Sequence, residues 1–416
     1  MKNGINVKQL ILWGLYDFAN SIVMIVFFMY YSQWLVVEQG VSDFWFNMTF
    51  VGSSLLFLLT VPVAGSIIDK TKIGLPGLRI ATIFSVLLYF VTGFIAVVYP
   101  SHYIITILTY SLATYFYLFS FTFYNPLLKD IAVPEHHGLA SGWGNFSGWL
   151  GEIFGLVVAI PLVSGFVFFV GAPGRAQALM PSAILFLLFS LPMLIFFKES
   201  TTRVQVSINI KQEYKDVIKS FVKLCVAPGV GLFFLAYFFF NDAITTASNN
   251  FPIFVQKLYG VSDLTQTYLL LGIIVTSAIG APVSGWLADK FGFKRVLLWI
   301  LAGWVVVFPL LAIVKSFSLF IAVCVAMGLW FGAIWTITRA YLVQLTPPEM
   351  INQSFTYYTL MERLATFIGP ISWGLVVTYV PKTDALNYRS AAALMTVFVI
   401  VGLFIARKLP DRRKTA

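Results

Sequence analysis

Charged side chains are scarce in this sequence: Asp, Glu, Lys and Arg together make up 11% of its 416 residues. Soluble globular proteins carry roughly 25% charged residues. This chain is instead 59% hydrophobic, with a mean hydropathy of +0.88. The composition therefore excludes a soluble protein and indicates a polytopic membrane protein. Because a helical span needs about 20 apolar residues, the chain has room for about a dozen spans.

Histidine and cysteine are also rare, with 3 and 2 residues. Cys225 lies near the start of a predicted helix and Cys324 lies inside a predicted span, so we expect neither a disulfide nor a metal site. The sequence contains no G-x-S-x-G, H-E-x-x-H or P-loop pattern. We therefore predict that the protein is not an enzyme and has no cofactor.

The positive charges are distributed unevenly along the chain, whose net charge is +10. Of the 27 Lys and Arg residues, 20 fall in segments predicted on the side of the N-terminus and five on the other side, with Arg339 and Arg363 inside spans. This asymmetry follows the positive-inside rule with both termini cytoplasmic. The bilayer, not nucleic acid, is thus the expected partner of the basic residues. Short connections favour a multi-pass protein of a bacterial cytoplasmic (inner) membrane, and we expect a monomer.

Apolar runs predict an all-α fold with twelve transmembrane helices, at 11–37, 44–68, 76–98, 102–127, 138–170, 177–197, 228–256, 264–288, 295–314, 317–345, 351–380 and 387–406. They form two six-helix halves, 1–197 and 227–416, joined by a cytoplasmic linker at 198–226. Lysines recur in the linker at every fourth residue, at 211, 215, 219 and 223. This spacing predicts a helix with one lysine face, attracted to anionic lipid at the inner membrane surface.

The loop sequence GWLADKFGFKR lies between the eighth and ninth spans, and a weaker copy, GSIIDKTKIG, follows the second span. We expect Gly285 to allow a close helix approach and Gly292 to supply the reversal of the chain. The loop resembles the one after the second helix of each half in major facilitator superfamily transporters. That resemblance implies two repeated halves, transport by alternating access, and conformational-switch roles for Gly65, Asp69, Lys70, Gly285, Asp289, Lys290, Gly292 and Arg295.

The first and seventh spans each begin with a polar group on one helix face. Asp17 with Asn20, and Asp242 with Thr245, are spaced three residues apart. The surrounding strings YDFANS and NDAITT resemble the vacuolar amino-acid effluxer family and its bacterial relatives, a branch of the same superfamily. The resemblance implies amino-acid transport and makes these four residues candidate contacts for substrate or proton. Alternatively, both aspartates are structural and hydrogen-bond the backbone of broken or kinked helices.

The fifth span carries glycines at 144, 148, 151 and 155, in pairs that favour close approach of a second helix. Glu152 lies among them. A carboxyl group within a span is costly to insert and usually functional. We interpret Glu152 as a proton carrier, with a structural ion pair to an arginine as the alternative.

Basic residues in the tenth and eleventh spans supply further candidates. Arg339 and Arg363 each present a planar fork suited to a carboxylate, of the substrate or of a neighbouring Glu. Glu362 and Arg363 are adjacent and point about 100° apart on a helix, so we expect each to serve a different partner. Gly369 and Pro370 predict a kink that would assist rocking of the span.

Together these features predict a secondary active transporter that moves a small polar or zwitterionic solute, with amino acids the class implied by resemblance, by alternating access and with proton coupling. The abundance of Phe and Trp leaves open an exporter of lipids or amphiphiles. A third alternative is a non-transporting membrane scaffold or sensor that keeps the same fold.

Overall fold

The computed structural model describes residues 5–71, 74–132, 137–199, 210–347, 350–380 and 383–411. The helices of the first half are α1 (Val7–Val26), α2 (Asp43–Thr71), α3 (Gly74–Val98), α4 (Tyr103–Tyr124), α5 (His137–Val163) and α6 (Leu179–Phe196). They are followed by α7 (Ile210–Val226), α8 (Val230–Tyr259), α9 (Asp263–Phe291), α10 (Phe293–Ile313), α11 (Phe317–Leu345), α12 (Ile351–Leu364), α13 (Ile368–Tyr379) and α14 (Asp384–Arg407).

Twelve candidate membrane spans occur within these described segments, which confirms the predicted all-α fold. The first span, Val7–Glu38, extends beyond α1 through two π-helical turns, Phe27–Tyr31 and Trp34–Glu38. The tenth span was predicted to the residue, since α11 occupies Phe317–Leu345.

Contacts between Cα atoms divide the chain into two compact units. The first comprises Met1–Val41 and Gly52–Tyr214, and the second comprises Ser42–Val51 and Lys215–Ala416. The segment Ser42–Val51 of the second unit includes the start of α2, and the rest of α2 belongs to the first unit.

In the first unit, α1 packs against α5 and α6, and α3 packs against α4. Its core is rich in aromatic side chains that also form hydrogen bonds. The rings of Trp13 and Tyr124 stack at 4.7 Å, and the Tyr16 hydroxyl lies 2.8 Å from that of Thr82. Tyrosine suits such positions because its apolar ring can be buried while its hydroxyl finds a partner.

In the second unit, α8 packs against α14 and α9 packs against α11. Phe233, Tyr237, Phe240 and Tyr341 are completely buried there. The core therefore lies between the helices and is filled by large rings, as it is in the first unit.

The fifth span is shorter than predicted, because α5 ends at Val163 and not near residue 170. The run of Phe and Val after it is apolar enough for a span, but Gly165 and Gly171 have φ angles of +78° and +75°. This left-handed conformation ends a helix. The Gln177 side chain fixes the loop after α5 by donating hydrogen bonds to the Val170 and Ala172 carbonyls, at 2.6 and 2.8 Å.

The eleventh span is broken, as the expected kink indicated, and the break precedes Gly369 and Pro370. We call residues 365–367, between α12 and α13, the helix break. The Thr366 amide and hydroxyl both donate to the Arg363 carbonyl, which ends α12. Pro370 then lies in the first turn of α13, where its missing N–H costs nothing.

The predicted linker contains one described helix, α7. Its four lysines are all exposed, as expected for a lysine face.

Candidate functional site

The first-half cluster consists of Asp17, Asn20 and Ser21 on α1 and Tyr117 on α4. Asn20 Nδ2 donates to Asp17 Oδ1 at 3.3 Å. Asn20 Oδ1 accepts from the hydroxyls of Tyr117 at 3.4 Å and Ser21 at 3.5 Å. Asp17 and Asn20 therefore share one face, as their spacing predicted, and Ser21 lies on the same face. Asp17 is half-buried, with its second carboxylate oxygen directed at α5.

The glycines of α5 form the contact with α1, which confirms the close approach predicted from their spacing. A Cβ atom at Gly151 would collide with the Phe18 carbonyl oxygen, and one at Gly155 would lie 3.1 Å from the Ile22 carbonyl oxygen. At Gly144 it would lie 2.6 Å from Asp17 Oδ2. Glycine at these positions therefore lets α5 pass beside the Asp17 carboxylate.

Glu152 is half-buried on α5, within the candidate span Trp143–Val163. It forms no hydrogen bond or salt bridge with any residue that the structure describes. The arginine partner expected under the structural interpretation is thus not found among those residues.

In the second unit, Asp242 on α8 is completely buried and reaches the helix break. Its Oδ2 accepts a hydrogen bond of 2.7 Å from the Gly369 N–H, in the first turn of α13. A negative charge at a helix N-terminus satisfies an unpaired amide and interacts favourably with the helix dipole. Asp242 therefore has the structural contact that was the alternative interpretation of the two aspartates.

The Asp242 carboxyl lies among buried polar groups on α8, with the Thr246 hydroxyl as its side-chain neighbour. Both side-chain polar atoms of the adjacent Asn241 have no hydrogen-bond partner among the described residues. A Cβ atom at Gly369 would lie 2.6 Å from Asp242 Oδ1 and would collide with Thr246 Oγ1. We call Asp242, Thr246 and Gly369 the second-half cluster. Buried polar atoms nearly always bind protein, water or a ligand, so this cluster is the strongest candidate contact for a polar solute.

Sequence analysis identified Asp242 but not Asn241 or Thr246 as a site residue. Both follow from the same signal, because amide and hydroxyl groups within an apolar span usually face the protein interior. Thr245, which we predicted, is half-buried and makes no hydrogen bond through its side chain with the described residues.

The prediction that Glu362 and Arg363 serve different partners is wrong. Arg363 Nη2 lies 2.9 Å from Glu362 Oε1, and both side chains are largely buried, at 22% and 26% exposure. The long arginine side chain bridges the angle between neighbouring positions near the end of α12. Arg363 Nε is buried and has no partner among the described residues, so the guanidinium retains a donor for a further group.

Arg339 on α11 has an exposed side chain and makes no hydrogen bond or salt bridge with residues in the described segments. The structure therefore does not pair it with a carboxylate.

The loop of the GWLADKFGFKR sequence is a one-residue turn. Gly292, with φ of +92°, separates α9 from α10, which confirms its predicted role. The role expected of Gly285 is wrong, since a Cβ atom there would have no described atom within 4 Å. The close approach to α11 occurs instead at Gly280, against the Leu329 carbonyl.

The charged members of this loop make few contacts. Lys290 Nζ lies 5.5 Å from the ring centroid of Trp286, a cation–π distance. Asp289 and Arg295 are exposed and form no ion pair with described residues. In the upstream copy, only the helical backbone of Gly65, Asp69 and Lys70 lies within the described part of the structure.

Sequence analysis missed a buried amide pair at the start of α2. Asn47 and Asn250 exchange two hydrogen bonds of 2.9 Å, within the second unit. Nearby, the Tyr388 hydroxyl donates to Asp43 Oδ2 at 2.7 Å. Asparagines within apolar spans were the available signal, because such residues hydrogen-bond between helices.

Comparison with protein families and with known proteins gives a consistent result. The model of the family described as Major Facilitator Superfamily matches residues 233–416. An uncharacterized MFS-type transporter of Bacillus subtilis (strain 168), YxiO, is 24% identical over 98% of this chain and 96% of its own.

Solved structures share the fold at low sequence identity. A variant of the nucleoside transporter NupG superposes with a TM-score of 0.75 at 12% identity, covering 96% of this chain and 99% of its own. An inward-facing bacterial homolog of the human lysosomal transporter Spinster superposes with a TM-score of 0.73 at 13% identity, covering 99% and 98%. At these identities the likeness concerns the fold alone.

Proposed function

We propose that this chain is a secondary transporter of the major facilitator superfamily and that it moves a small zwitterionic solute by alternating access, coupled to protons. Amino acids are the first solute class to test. The second-half cluster carries this proposal, because it places a buried carboxylate and hydroxyl on α8, next to the unpartnered amide of Asn241, beside a broken helix. Broken membrane helices expose backbone groups that bind polar substrates in many secondary transporters.

A zwitterion requires groups of both signs, and the candidate residues supply them. In the second unit, Asp242 offers a carboxylate to an ammonium group. Arg363 retains a buried donor for a carboxylate, in addition to its bond with Glu362. Arginine binds carboxylates through its planar fork, which favours an acid group of defined geometry over a simple anion.

Glu152 supports proton coupling. It lies in a span, it lacks an ionic partner among the described residues, and ionisable residues in spans commonly serve as proton relays. Asp17 and Asp242 are the alternative carboxylates for this role, and His is present only 3 times. In this proposal Glu152 binds a proton from one side of the membrane and releases it to the other.

The test uses purified protein in liposomes with a pH gradient, acid outside, and a panel of amino acids. Each amino acid is tested beside its amide, which lacks the carboxylate charge, and its N-acetyl derivative, which lacks the ammonium charge. We expect accumulation of at least one amino acid and of neither of its derivatives. Transport of both derivatives would overturn the zwitterion proposal. Transport of amphiphiles only would favour the exporter alternative.

Glu152→Gln tests the coupling separately. We expect this variant to lose gradient-driven accumulation while it still exchanges labelled for unlabelled solute across the membrane. Glu38→Gln is the matched control, because Glu38 lies at the end of the first span in a 3.0 Å salt bridge with Arg175. Unchanged accumulation by Glu152→Gln would show that Glu152 is not the proton carrier.

A further inference from the structure

α7 presents two rows of side chains to the outside of the second unit. Lys211, Lys215, Lys219 and Lys223 form the first row, and all are exposed. The 17 residues of α7 hold these four lysines and two acidic residues, Glu213 and Asp216, so the helix carries a net charge of +2. A net positive charge attracts phosphate-bearing partners.

The second row is apolar and equally exposed. Ile218, Val222 and Val226 are 61%, 55% and 78% exposed. They follow each other at every fourth residue, and Lys219 and Lys223 come directly after two of them, about 100° further round the helix. The apolar and lysine rows thus run side by side on one face. A helix surrounded by water would have polar residues in place of this apolar row.

The opposite face of α7 is fixed to the second unit. The Tyr357 hydroxyl donates to the Val217 carbonyl at 2.8 Å, and the Phe221 ring lies 5.1 Å from that of Tyr357 and 6.0 Å from that of Phe234. The outward face is therefore held in one orientation by contacts on the far side of the helix.

These contacts also define the depth of α7. Tyr357 lies in the second turn of α12, which begins at Ile351, and Phe234 is the fifth residue of α8. α7 therefore packs beside the first two turns of two helices that enter spans, where we expect the hydrocarbon core to meet the lipid headgroups. Amphipathic helices at this depth place apolar side chains beside the acyl chains and lysines at the phosphates.

We propose that the outward face of α7 is a binding surface for anionic phospholipids. Ile218, Val222 and Val226 enter the upper acyl region, and the four lysines contact the headgroup phosphates. Zwitterionic lipids offer the same acyl region without net negative charge, so the lysines select the anionic headgroup. This surface is independent of the solute transported.

Lipid retention by the full-length protein tests the selectivity. The protein is purified from mixed micelles containing equal amounts of phosphatidylglycerol and phosphatidylcholine, and bound lipid is measured by native mass spectrometry. We expect the wild type to retain at least about threefold more phosphatidylglycerol than phosphatidylcholine. Replacement of all four lysines by Gln should abolish this preference, and replacement by Arg should preserve it.

Two controls separate this surface from a general effect of charge or misfolding. Lys257→Gln with Lys315→Gln removes lysines on the other predicted side of the membrane and should leave the preference unchanged. A monodisperse elution profile of the Gln variant establishes that it is folded. Equal lipid preference in the wild type and the folded Gln variant would overturn the proposal.

A spin label tests the depth. Val222→Cys, in a full-length chain with Cys225→Ser and Cys324→Ala, is labelled and reconstituted in vesicles of mixed phosphatidylglycerol and phosphatidylcholine, whose surface is anionic. We expect greater access to oxygen than to a water-soluble nickel complex. A label in bulk water would overturn the proposal and leave the face free for an acidic protein partner.

Discussion

Asp17 and Asp242 occupy equivalent places in the two halves of the chain, and each carboxylate faces a glycine. A Cβ atom at Gly144 would lie 2.6 Å from Asp17, and one at Gly369 would lie 2.6 Å from Asp242. The two aspartates are 225 residues apart, and so are the two glycines. The repeat is thus preserved in a specific contact between the first and fifth spans. The halves differ in one respect, since α5 is continuous at Gly144 and the eleventh span is broken just before Gly369.

Because α13 begins beside Asp242, this residue can have two roles: it accepts a hydrogen bond from the Gly369 N–H, and in the proposed transporter it contacts the solute or a proton. In Asp242→Asn, the amide oxygen can still accept the Gly369 N–H, whereas Asp242→Ala leaves that buried N–H unpaired. We expect Asp242→Ala to lower the free energy of unfolding by about 1–3 kcal/mol and Asp242→Asn to change it much less. Thermal unfolding in detergent measures both.

Transport by the Asn variant then identifies the second role. If Asp242 Oδ1 contacts the solute or a proton, Asp242→Asn should reduce the uptake rate at least about tenfold, which corresponds to 1.4 kcal/mol, while the protein remains stable. Wild-type transport by this variant would restrict Asp242 to stabilising α13.

The glycine contact between α1 and α5 predicts an asymmetric response to added methyl groups. Gly151→Ala should separate the two helices, because its Cβ would collide with the Phe18 carbonyl, at a cost of about 1–3 kcal/mol. Gly285→Ala is the matched control: it is also helical, and its Cβ would meet no described atom. We expect Gly285→Ala to be neutral or to stabilise by up to about 1 kcal/mol. Equal effects of the two substitutions on the unfolding midpoint would contradict the packing described.

The salt bridge between Glu362 and Arg363 predicts that replacing Arg363 raises the KM for a zwitterion much more than replacing Glu362. In the proposed transporter, Arg363→Gln removes the cation that binds the solute carboxylate, so the KM for a zwitterion should rise at least about tenfold. Glu362→Gln keeps an oxygen for Arg363 and should alter KM far less. Initial uptake rates over a range of solute concentrations measure both. A similar rise in KM in both variants would indicate that the ion pair, and not Arg363 alone, is required.

The twelve spans followed from hydropathy because the bilayer requires long apolar helices with satisfied backbones. Glycine spacing likewise predicted that α5 would have a close partner. The identity of that partner could not be predicted, since Gly151 carries no information about Phe18. The extent of the fifth span was overestimated because hydropathy cannot detect the positive φ angle of Gly165.

The candidate site was predicted less completely than the fold. Asp242 was identified from its position in a span, but its bond to Gly369 depends on where α12 ends, and that end is determined by the hydrogen bonds of Thr366. The error at Glu362 and Arg363 has a similar origin. Helical periodicity describes Cβ directions, and a guanidinium on a four-atom stem reaches beyond them.

The amide pair of Asn47 and Asn250 predicts strong coupling between α2 and α8. Each Nδ2 donates both to the other side chain and to a carbonyl of its own helix, of Asp43 or Thr246, at 2.9 Å. Asn47→Ala or Asn250→Ala alone leaves a buried amide without its partner, so each should cost about 1–3 kcal/mol. The double variant removes both amides and should cost less than the two single costs combined, by at least about 0.5 kcal/mol. Unfolding midpoints of the four proteins provide this cycle, and strictly additive effects would contradict a direct pair.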